Sequence, residues 1–231
     1  SMANAHTHLE LTDFPVWAER AGQKEPGTDF VDWIRHLVAV RKTCNAAEVR
    51  GSLAHGLRAS LEAGVGLVGD ILTTLPAAPA YAGSLLRGRV FCEVLGHDIE
   101  TVATRLAAIA RLLPSSEAKA LTWGLAPHAP YSLSEGAAAR VGTFARRHGL
   151  QVAMHLAETA AEVEFLEQGR GPIVDRLFPA AGWSPPQRSG AGPRPVAWAS
   201  QQDLLMAGSM VVHGVHVDAA GIDLIAANRC S

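Results

Sequence analysis

The sequence predicts an α/β fold in which parallel strands alternate with helices, either a (β/α) barrel or a doubly wound sheet. Short apolar or β-branched runs alternate with longer helical patterns along the chain. These runs are mainly apolar or β-branched, as in parallel strands that helices cover on both faces. Gly64 and Gly149 each follow a helical pattern, at the position where glycine commonly ends a helix. No G-x-G-x-x-G motif follows an early strand, which argues against the dinucleotide-binding version of the sheet.

The predicted elements form about six βα units. The first strand ends at His6 and His8. The later strands are VGLVGDI (65–71), RVFCEVL (89–95), ALTWGLA (120–126), LQVAMH (150–155) and SMVVH (209–213). Helical patterns lie between them at 30–42, 45–63, 99–113, 135–148, 159–168 and 219–227. The Pro- and Gly-rich stretch 179–195 is predicted to be an excursion between the fifth and sixth strands, because the alternation resumes directly after it.

Composition narrows the class of protein. With 231 residues, 48% of them apolar, the chain is long enough for one large α/β domain or two small ones. A formal charge of −2 without a basic stripe makes nucleic acid a poor candidate partner. No apolar run approaches the roughly 20 residues that cross a bilayer, so we expect no membrane association. The three cysteines lie far apart and predict no disulfide framework, and we therefore expect a cytoplasmic location.

Histidines mark the ends of four predicted strands. His6 and His8 have the i, i+2 spacing that puts two side chains on one face of a strand. His155 and His213 each end a strand, and His128 follows another by two residues. Active sites of barrels gather at the carboxyl ends of the strands, so these histidines are expected at one place.

Each histidine has a simpler interpretation when it is taken alone. An H-x-H pair arises readily by chance, and a histidine at a strand end often only donates to a backbone carbonyl. Together, three neutral imidazoles suit Zn²⁺ first and Fe²⁺ second, with a position left open for water. Glu158 lies three residues past His155, where a carboxylate can act as a general acid or base; a first-turn helix glutamate is the structural alternative.

Four ordered motifs carry a resemblance to a known family. "NAHTHLE", "GLAPHAPYS", "MHLAET" and "VVHGVHVD" each fall at a predicted strand end. In this they resemble the amidohydrolase superfamily, and specifically its cytosine-deaminase-like branch. That branch contains S-adenosylhomocysteine, guanine and aminodeoxyfutalosine deaminases and the triazine chlorohydrolases. The resemblance implies a metal-dependent hydrolase built on a (β/α)8 TIM-like barrel.

The resemblance also implies roles for individual residues. One divalent metal would be held by His6, His8 and His155, with an aspartate of the eighth strand completing the site. Glu158 matches the proton-shuttling glutamate, and His213 matches a sixth-strand histidine that polarises the hydroxide or the substrate. His128 matches a histidine that contacts substrate in related nucleoside deaminases.

The implied reaction is the hydrolytic deamination of a heteroaromatic amine in a nucleoside-like small molecule. The metal lowers the pKa of its bound water from about 15.7 toward 7, and the resulting hydroxide adds to the ring carbon that bears the amine. "HTHLEL" followed by "FVDWIRHLVAVRK" resembles the aminodeoxyfutalosine deaminases of menaquinone biosynthesis most. Glu10, Trp33, Arg41 and Glu93 are the expected substrate-binding residues by position, although a place in the core is the simpler interpretation of Trp33.

The resemblance is incomplete toward the C-terminus. No aspartate in a strand-end context follows His213, and the small β-sandwich domain that flanks such barrels has no counterpart here. We therefore expect residues 1–231 to form a single partial barrel domain, truncated to about six βα units. The chain would be part of a longer protein, or a stable form that covers its exposed sheet edges as a homodimer. A related hydrolase with another leaving group (a chlorohydrolase or a cyclic amidase) and an inactive binding fragment remain alternative functions.

Overall fold

The computed structural model describes residues 2–113, 120–184 and 191–231. The strands are β1 (Met2–Thr7), β2 (Val65–Leu72), β3 (Arg87–Val94), β4 (Leu121–Pro127), β5 (Ala153–Leu156) and β6 (Met210–His213). The longer helices are α2 (Phe30–Arg41), α3 (Ala46–Glu62), α4 (Ile99–Leu112), α5 (Glu135–His148), α6 (Ala160–Gln168) and α9 (Ala219–Ala227). The shorter ones are α1 (Phe14–Arg20), α7 (Phe178–Ala181) and α8 (Pro195–Gln201). The prediction of alternating strands and helices is confirmed, and the bounds of the predicted helices differ from the observed ones by a residue at most.

The chain divides into two compact units. The N-terminal unit comprises residues 1–93 and 108–124, and the C-terminal unit comprises residues 94–107 and 125–231. Among the helices of the described ranges, none is both long and apolar enough to cross a membrane.

The N-terminal unit is built on parallel strand pairing. The sheet has the order β1-β2-β3-β4, and β1 pairs with β2, and β2 with β3, in parallel. Helix α3 packs against β2. Its capping box explains where it begins: the Asn45 side chain accepts the N–H groups of Ala47 and Glu48, and the Glu48 carboxylate accepts the N–H of Asn45. The core includes Val49, Leu53, Leu57, Val68, Ile71, Leu72, Val90, Phe91 and Cys92, all buried.

The C-terminal unit contains the parallel pair β5–β6. A parallel bridge between Leu125 and Val152 joins the end of β4 to the chain that leads into β5. Helix α5 ends where predicted, because Gly149 adopts the left-handed conformation (φ 62°) that a glycine accepts without strain. The core includes Val102, Leu125, Val141, Val152, Phe165, Phe178 and Trp198. Within the Pro- and Gly-rich stretch, α7 and α8 lie in described positions, and residues 185–190 lie outside the described ranges.

Candidate functional site

His6 and His8 lie at the carboxyl end of β1, in the N-terminal unit. His6 is the fifth residue of Met2–Thr7, and His8 directly follows the strand. The pairing of β1 with β2 shifts register between Asn4 and Thr7, an irregularity that can redirect side chains at a strand end. The two rings are edge to face with centroids 5.0 Å apart, and both residues are half-buried. The structure therefore brings these two predicted ligands together.

Glu10 lies two residues past His8 in a short 3-10 helix, Leu9–Leu11. It is 1% exposed, and its Oε2 accepts the backbone N–H of Thr74 at 2.9 Å. Burial raises the pKa of the Glu10 carboxyl above its ordinary value, and the charge of nearby Glu93 adds to this while Arg41 opposes it. A buried acid beside a cation forms a polar site within the mainly apolar interior of this unit.

Arg41 and Glu93 meet the same short segment that Glu10 contacts. Arg41 donates to the Thr74 hydroxyl at 2.7 Å, and the Thr73 hydroxyl donates to Oε2 of buried Glu93 at 2.6 Å. Thr73 and Thr74 directly follow β2, so the carboxyl end of that strand gathers three of the predicted substrate-binding residues. The sequence reasoning missed both threonines, because "TT" after a strand resembles an ordinary loop.

Trp33 lies on α2 and is 44% exposed. Its interpretation as a core residue is therefore wrong. Its neighbours on α2 explain the difference, since Val31, His36 and Val40 form the buried face of this helix. A contact between Trp33 and substrate stays a prediction.

Asp70 is a buried acid that the sequence reasoning did not single out. It lies near the end of β2, where its Oδ1 accepts the N–H of Leu9 at 2.8 Å and its Oδ2 accepts the hydroxyl of Tyr81. Burial raises the pKa of the Asp70 carboxyl to about 7. A single acidic residue within the apolar run VGLVGDI was the signal that could have identified it.

His128 and His155 are joined through the backbone in the C-terminal unit. The N–H of His128 donates to the carbonyl of Val94, and the carbonyl of His128 accepts the N–H of His155, each at 3.0 Å. Nδ1 of His155 lies 3.0 Å from that same carbonyl oxygen. Since a carbonyl can only accept, Nδ1 carries the proton and the ring lone pair is on Nε2.

His213 and Glu158 lie near His155 in the same unit. The His155 and His213 rings are stacked with centroids 5.5 Å apart. Oε1 of Glu158 is 3.3 Å from Nε2 of His213. Burial raises the pKa of the Glu158 carboxyl to about 7, and partial burial lowers the pKa of His213. Glu158 can thus hold or release a proton near neutral pH, beside an imidazole that favours its neutral form.

The segment between His155 and α6 is held by a second missed acid, Glu162. This residue is 0% exposed, and its two oxygens accept the N–H groups of Ala157 and Glu158 at 3.0 and 2.9 Å. Burial raises the pKa of Glu162 to about 7. The T-x-x-E pattern from Thr159 to Glu162 is typical of a helix start and was the signal available.

Two residues other than glycine in this region have positive φ angles: Ala157 at 54° and His213 at 72°. A residue with a side chain is uncommon in this conformation and costs free energy there. Such strain concentrates at functional sites, where the surrounding structure holds the residue in place.

The donor atoms fit a divalent transition metal. His6 and His8 form an adjacent imidazole pair in one unit. In the other, His155 has its Nδ1 engaged and one ring nitrogen within 4.8 Å of a nitrogen of His213. A metal-binding histidine commonly donates its second ring N–H to a carbonyl or carboxylate, as His155 does here.

The chain is similar in sequence to proteins of known activity. A sequence model described as the amidohydrolase family matches residues 1–230. An aminodeoxyfutalosine deaminase from Deinococcus radiodurans is 27% identical over 249 residues, which cover 99% of this chain and 54% of that protein. A 5-methylthioadenosine/S-adenosylhomocysteine deaminase from Natronomonas pharaonis is 30% identical over 237 residues, with 97% and 47% covered. The chain spans about half the length of the curated relatives it matches.

Solved structures give the same picture of the fold. The chain superimposes on Helicobacter pylori aminofutalosine deaminase with a TM-score of 0.77 and 22% identity, covering 99% of this chain and 52% of that one. An atrazine chlorohydrolase from Arthrobacter aurescens, solved with zinc, gives a TM-score of 0.71 and 13% identity, with 100% and 52% covered. The predicted α/β fold of the TIM-barrel type, with about six βα units, is confirmed.

Proposed function

The chain belongs to the amidohydrolase family, and from this we propose that it acts as a metal-dependent hydrolase that deaminates a nucleoside-like heteroaromatic amine. The observation that carries the proposal is the pairing of Glu158 with His213, 3.3 Å apart and next to the His155 ring. A carboxyl with a pKa of about 7 suits a proton shuttle at neutral pH. The named relatives, both deaminases, support the same reaction class.

His6, His8 and His155 are the proposed metal ligands, with zinc the first expectation and iron the second. Neutral imidazoles suit both ions, and the zinc present in the chlorohydrolase structure supports the first. When bound, the ion makes a water-derived nucleophile available near neutral pH. The proposal for His155 is supported by its Nδ1 contact with the His128 carbonyl, which directs the Nε2 lone pair toward a ligand.

Glu158 and His213 have distinct proposed roles. Glu158 accepts a proton from the attacking water and delivers it to the ring nitrogen. It then takes the proton of the added hydroxyl group and delivers it to the amine, which departs as ammonia while the carbonyl forms. Its half-buried position keeps the proton affinity close to the working pH. His213, whose pKa is lowered, donates a hydrogen bond to the charge that develops at the reacting centre.

Substrate recognition is proposed for His128, Glu10, Trp33, Arg41 and Glu93. Glu10, Arg41 and Glu93 converge on Thr73–Thr74, a polar cluster suited to the hydroxyl groups of a sugar. His128 is half-buried, and its Nδ1 lies 2.8 Å from the Ser132 hydroxyl, which orients its ring. The 27% identity to an aminodeoxyfutalosine deaminase makes aminodeoxyfutalosine the first substrate to test, which would place the protein in menaquinone biosynthesis.

A second candidate function keeps the same fold and changes the leaving group. The TM-score of 0.71 to an atrazine chlorohydrolase favours this alternative over an unrelated activity. A chloride or a cyclic amide nitrogen would then depart in place of ammonia, with Glu158 in the same proton-transfer role. Under either proposal, the protein would be a cytoplasmic enzyme that acts on a small-molecule substrate.

Metal analysis and product release together test the proposals. The purified chain, loaded with Zn²⁺ or Fe²⁺, is assayed for ammonia with aminodeoxyfutalosine, S-adenosylhomocysteine, adenosine and guanine, and for chloride with atrazine. Ammonia release that requires about one metal per chain supports deamination. Chloride release alone supports the second candidate. A chain that binds no metal and turns over no substrate contradicts both and favours the inactive binding fragment.

A further inference from the structure

We propose that Asp70 and Tyr81 form a buried clamp that positions His8 for metal binding. This Asp70–Tyr81 clamp acts through the backbone of Leu9, the residue next to His8. The inference rests on the proposed metal-dependent function, and it assigns Asp70 and Tyr81 as positioning residues that contact neither metal nor substrate.

The clamp begins with hydrogen bonds to both carboxylate oxygens of Asp70. Oδ1 accepts the N–H of Leu9 at 2.8 Å, and Oδ2 accepts the hydroxyl of Tyr81. Asp70 is 0% exposed, and Tyr81 is buried. Tyr81 is itself packed edge to face against the ring of Trp123, with centroids 6.3 Å apart. The carboxylate is therefore held from one side and holds Leu9 on the other.

Strand pairing fixes Asp70 relative to the end of β1. In the parallel pairing of β1 with β2, Asp70 stands opposite Thr7. The preceding residue, Gly69, lets the two backbones approach closely, because a Cβ there would lie 2.2 Å from the carbonyl oxygen of Ala5. No larger residue fits at that point without moving a strand. Asp70 is thus rigidly placed beside the chain that carries His8.

The other side of Leu9 is held by α3. A Cβ on Gly56 would lie 2.9 Å from the Leu9 carbonyl oxygen, so the helix backbone lies directly against it. The Thr12 hydroxyl donates to that same oxygen at 2.8 Å. With its N–H on Asp70 and its carbonyl on Thr12, Leu9 has little freedom to rotate. His8 therefore lies between a strand-paired residue, Thr7, and a residue held at both backbone groups.

Holding a ligand in place before the metal arrives is a general source of metal affinity. Partners outside the ligand shell typically change affinity by about 10–100-fold when they are removed. The register shift between Asn4 and Thr7 means that regular strand pairing alone does not set the direction of His8. The clamp supplies that constraint by a contact one residue further along the chain.

The test uses the full chain and Zn²⁺ as its probe. Zinc affinity is measured by competition with a chromogenic chelator for wild type, Asp70→Ala, Asp70→Asn and Tyr81→Phe, with thermal unfolding recorded for each. Ser52→Ala is the matched control, because buried Ser52 also accepts a backbone N–H of this segment, that of Asp13 at 2.9 Å. A metal-free readout, the ring NMR signals of His8, is recorded on the same proteins.

We expect Asp70→Ala to weaken zinc binding by about 10–100-fold and to broaden the His8 signals. Asp70→Asn should restore affinity, since its amide oxygen accepts the same Leu9 N–H, and Tyr81→Phe should fall between them. Should Asp70→Ala fail to fold, Tyr81→Phe, which removes only a hydroxyl group, carries the test. A drop in thermal stability without a change in zinc affinity or in the His8 signals would overturn the clamp. Wild type that binds no zinc, with His8 signals that still respond to Asp70→Ala, would instead contradict the proposed function.

Discussion

Nε2 of His213 lies 3.3 Å from Oε1 of Glu158, and the two residues come from different βα units. His213 ends β6, and Glu158 follows β5. Burial acts oppositely on their pKa values, raising that of the carboxyl to about 7 and lowering that of the imidazole. With a pKa of about 7 the Glu158 carboxyl can both accept and release a proton at neutral pH, while the His213 imidazole favours its neutral form, which can accept one.

Glu158→Gln should abolish most of the turnover while leaving metal binding intact. The amide is nearly the same shape as the carboxyl but cannot shuttle a proton, so we expect kcat to fall by about 10²–10⁴-fold. Product release and metal content are measured on the same preparation. Glu164→Gln is the control, since Glu164 lies on α6 and pairs only loosely with Arg170, at 3.6 Å. Equal losses in the two variants would remove Glu158 from the reaction.

His213→Gly should make the protein more stable and less active. At φ 72° a histidine costs roughly 1–2 kcal/mol that glycine avoids. Glycine also costs about 0.5–1 kcal/mol because it gives the unfolded chain greater conformational freedom. The net effect is a modest increase in the free energy of unfolding. Urea unfolding without metal measures this gain. His213→Val should be destabilised instead, because a β-branched residue tolerates positive φ poorly, and a stable valine variant would argue against strain at this position.

The stability contributed by Glu162 should depend on pH in a defined direction. Its folded pKa of about 7 exceeds the ordinary 4.5, so between these values the folded state binds more protons than the unfolded chain. The contribution is therefore fully present below about pH 4.5 and is lost as the pH rises through about 7. Glu162→Gln cannot ionise. The free energy of unfolding, measured with urea, should fall less between pH 5 and pH 8 in the variant than in wild type. An equal fall in the two proteins would contradict the assignment.

Arg41→Lys should weaken substrate binding more than it slows the chemical step. Lysine keeps the charge but lacks the planar fork with which arginine reaches the Thr74 hydroxyl at 2.7 Å. We expect KM to rise by about 10–150-fold, equivalent to one lost charge-assisted hydrogen bond. Steady-state kinetics measure this, with Arg35→Lys as the control because Arg35 lies on the same helix and pairs with exposed Asp32. An unchanged KM in Arg41→Lys would exclude the arginine from recognition.

Much of the fold was accessible from sequence because its signals were local. Gly149 and the helical patterns around it predict α5 with its observed bounds, Glu135–His148. The short helix Phe14–Arg20 was missed, since it has barely two turns and its Asp13 makes no capping hydrogen bond with its side chain. Helices α7 and α8 were missed because each has a proline in its first turn. Proline in a sequence suggests a loop, although it is tolerated in the first turn of a helix.

The candidate site was predicted less completely, and for a physical reason. Histidines at strand ends are visible in the sequence, whereas the groups that orient them act through the backbone. Asp70 contacts Leu9 across 61 positions of the chain, a relation that no local pattern encodes. Trp33 was misjudged for a different reason. An aromatic residue on an amphipathic helix cannot be told from a core residue until the packing of the helix is known.

The carbonyl of His128 receives both the backbone N–H and the ring Nδ1 of His155. Every amino acid supplies such a carbonyl, so these two contacts of His155 do not depend on which side chain occupies position 128, although the two rings also lie against each other with centroids 5.0 Å apart. A substitution at this position, where contact with substrate is proposed, therefore removes a ring contact of His155 but keeps the carbonyl that Nδ1 of His155 faces. The backbone thus preserves the tautomer of His155 through such a change, and substrate preference at position 128 can vary while Nε2 of His155 keeps its lone pair.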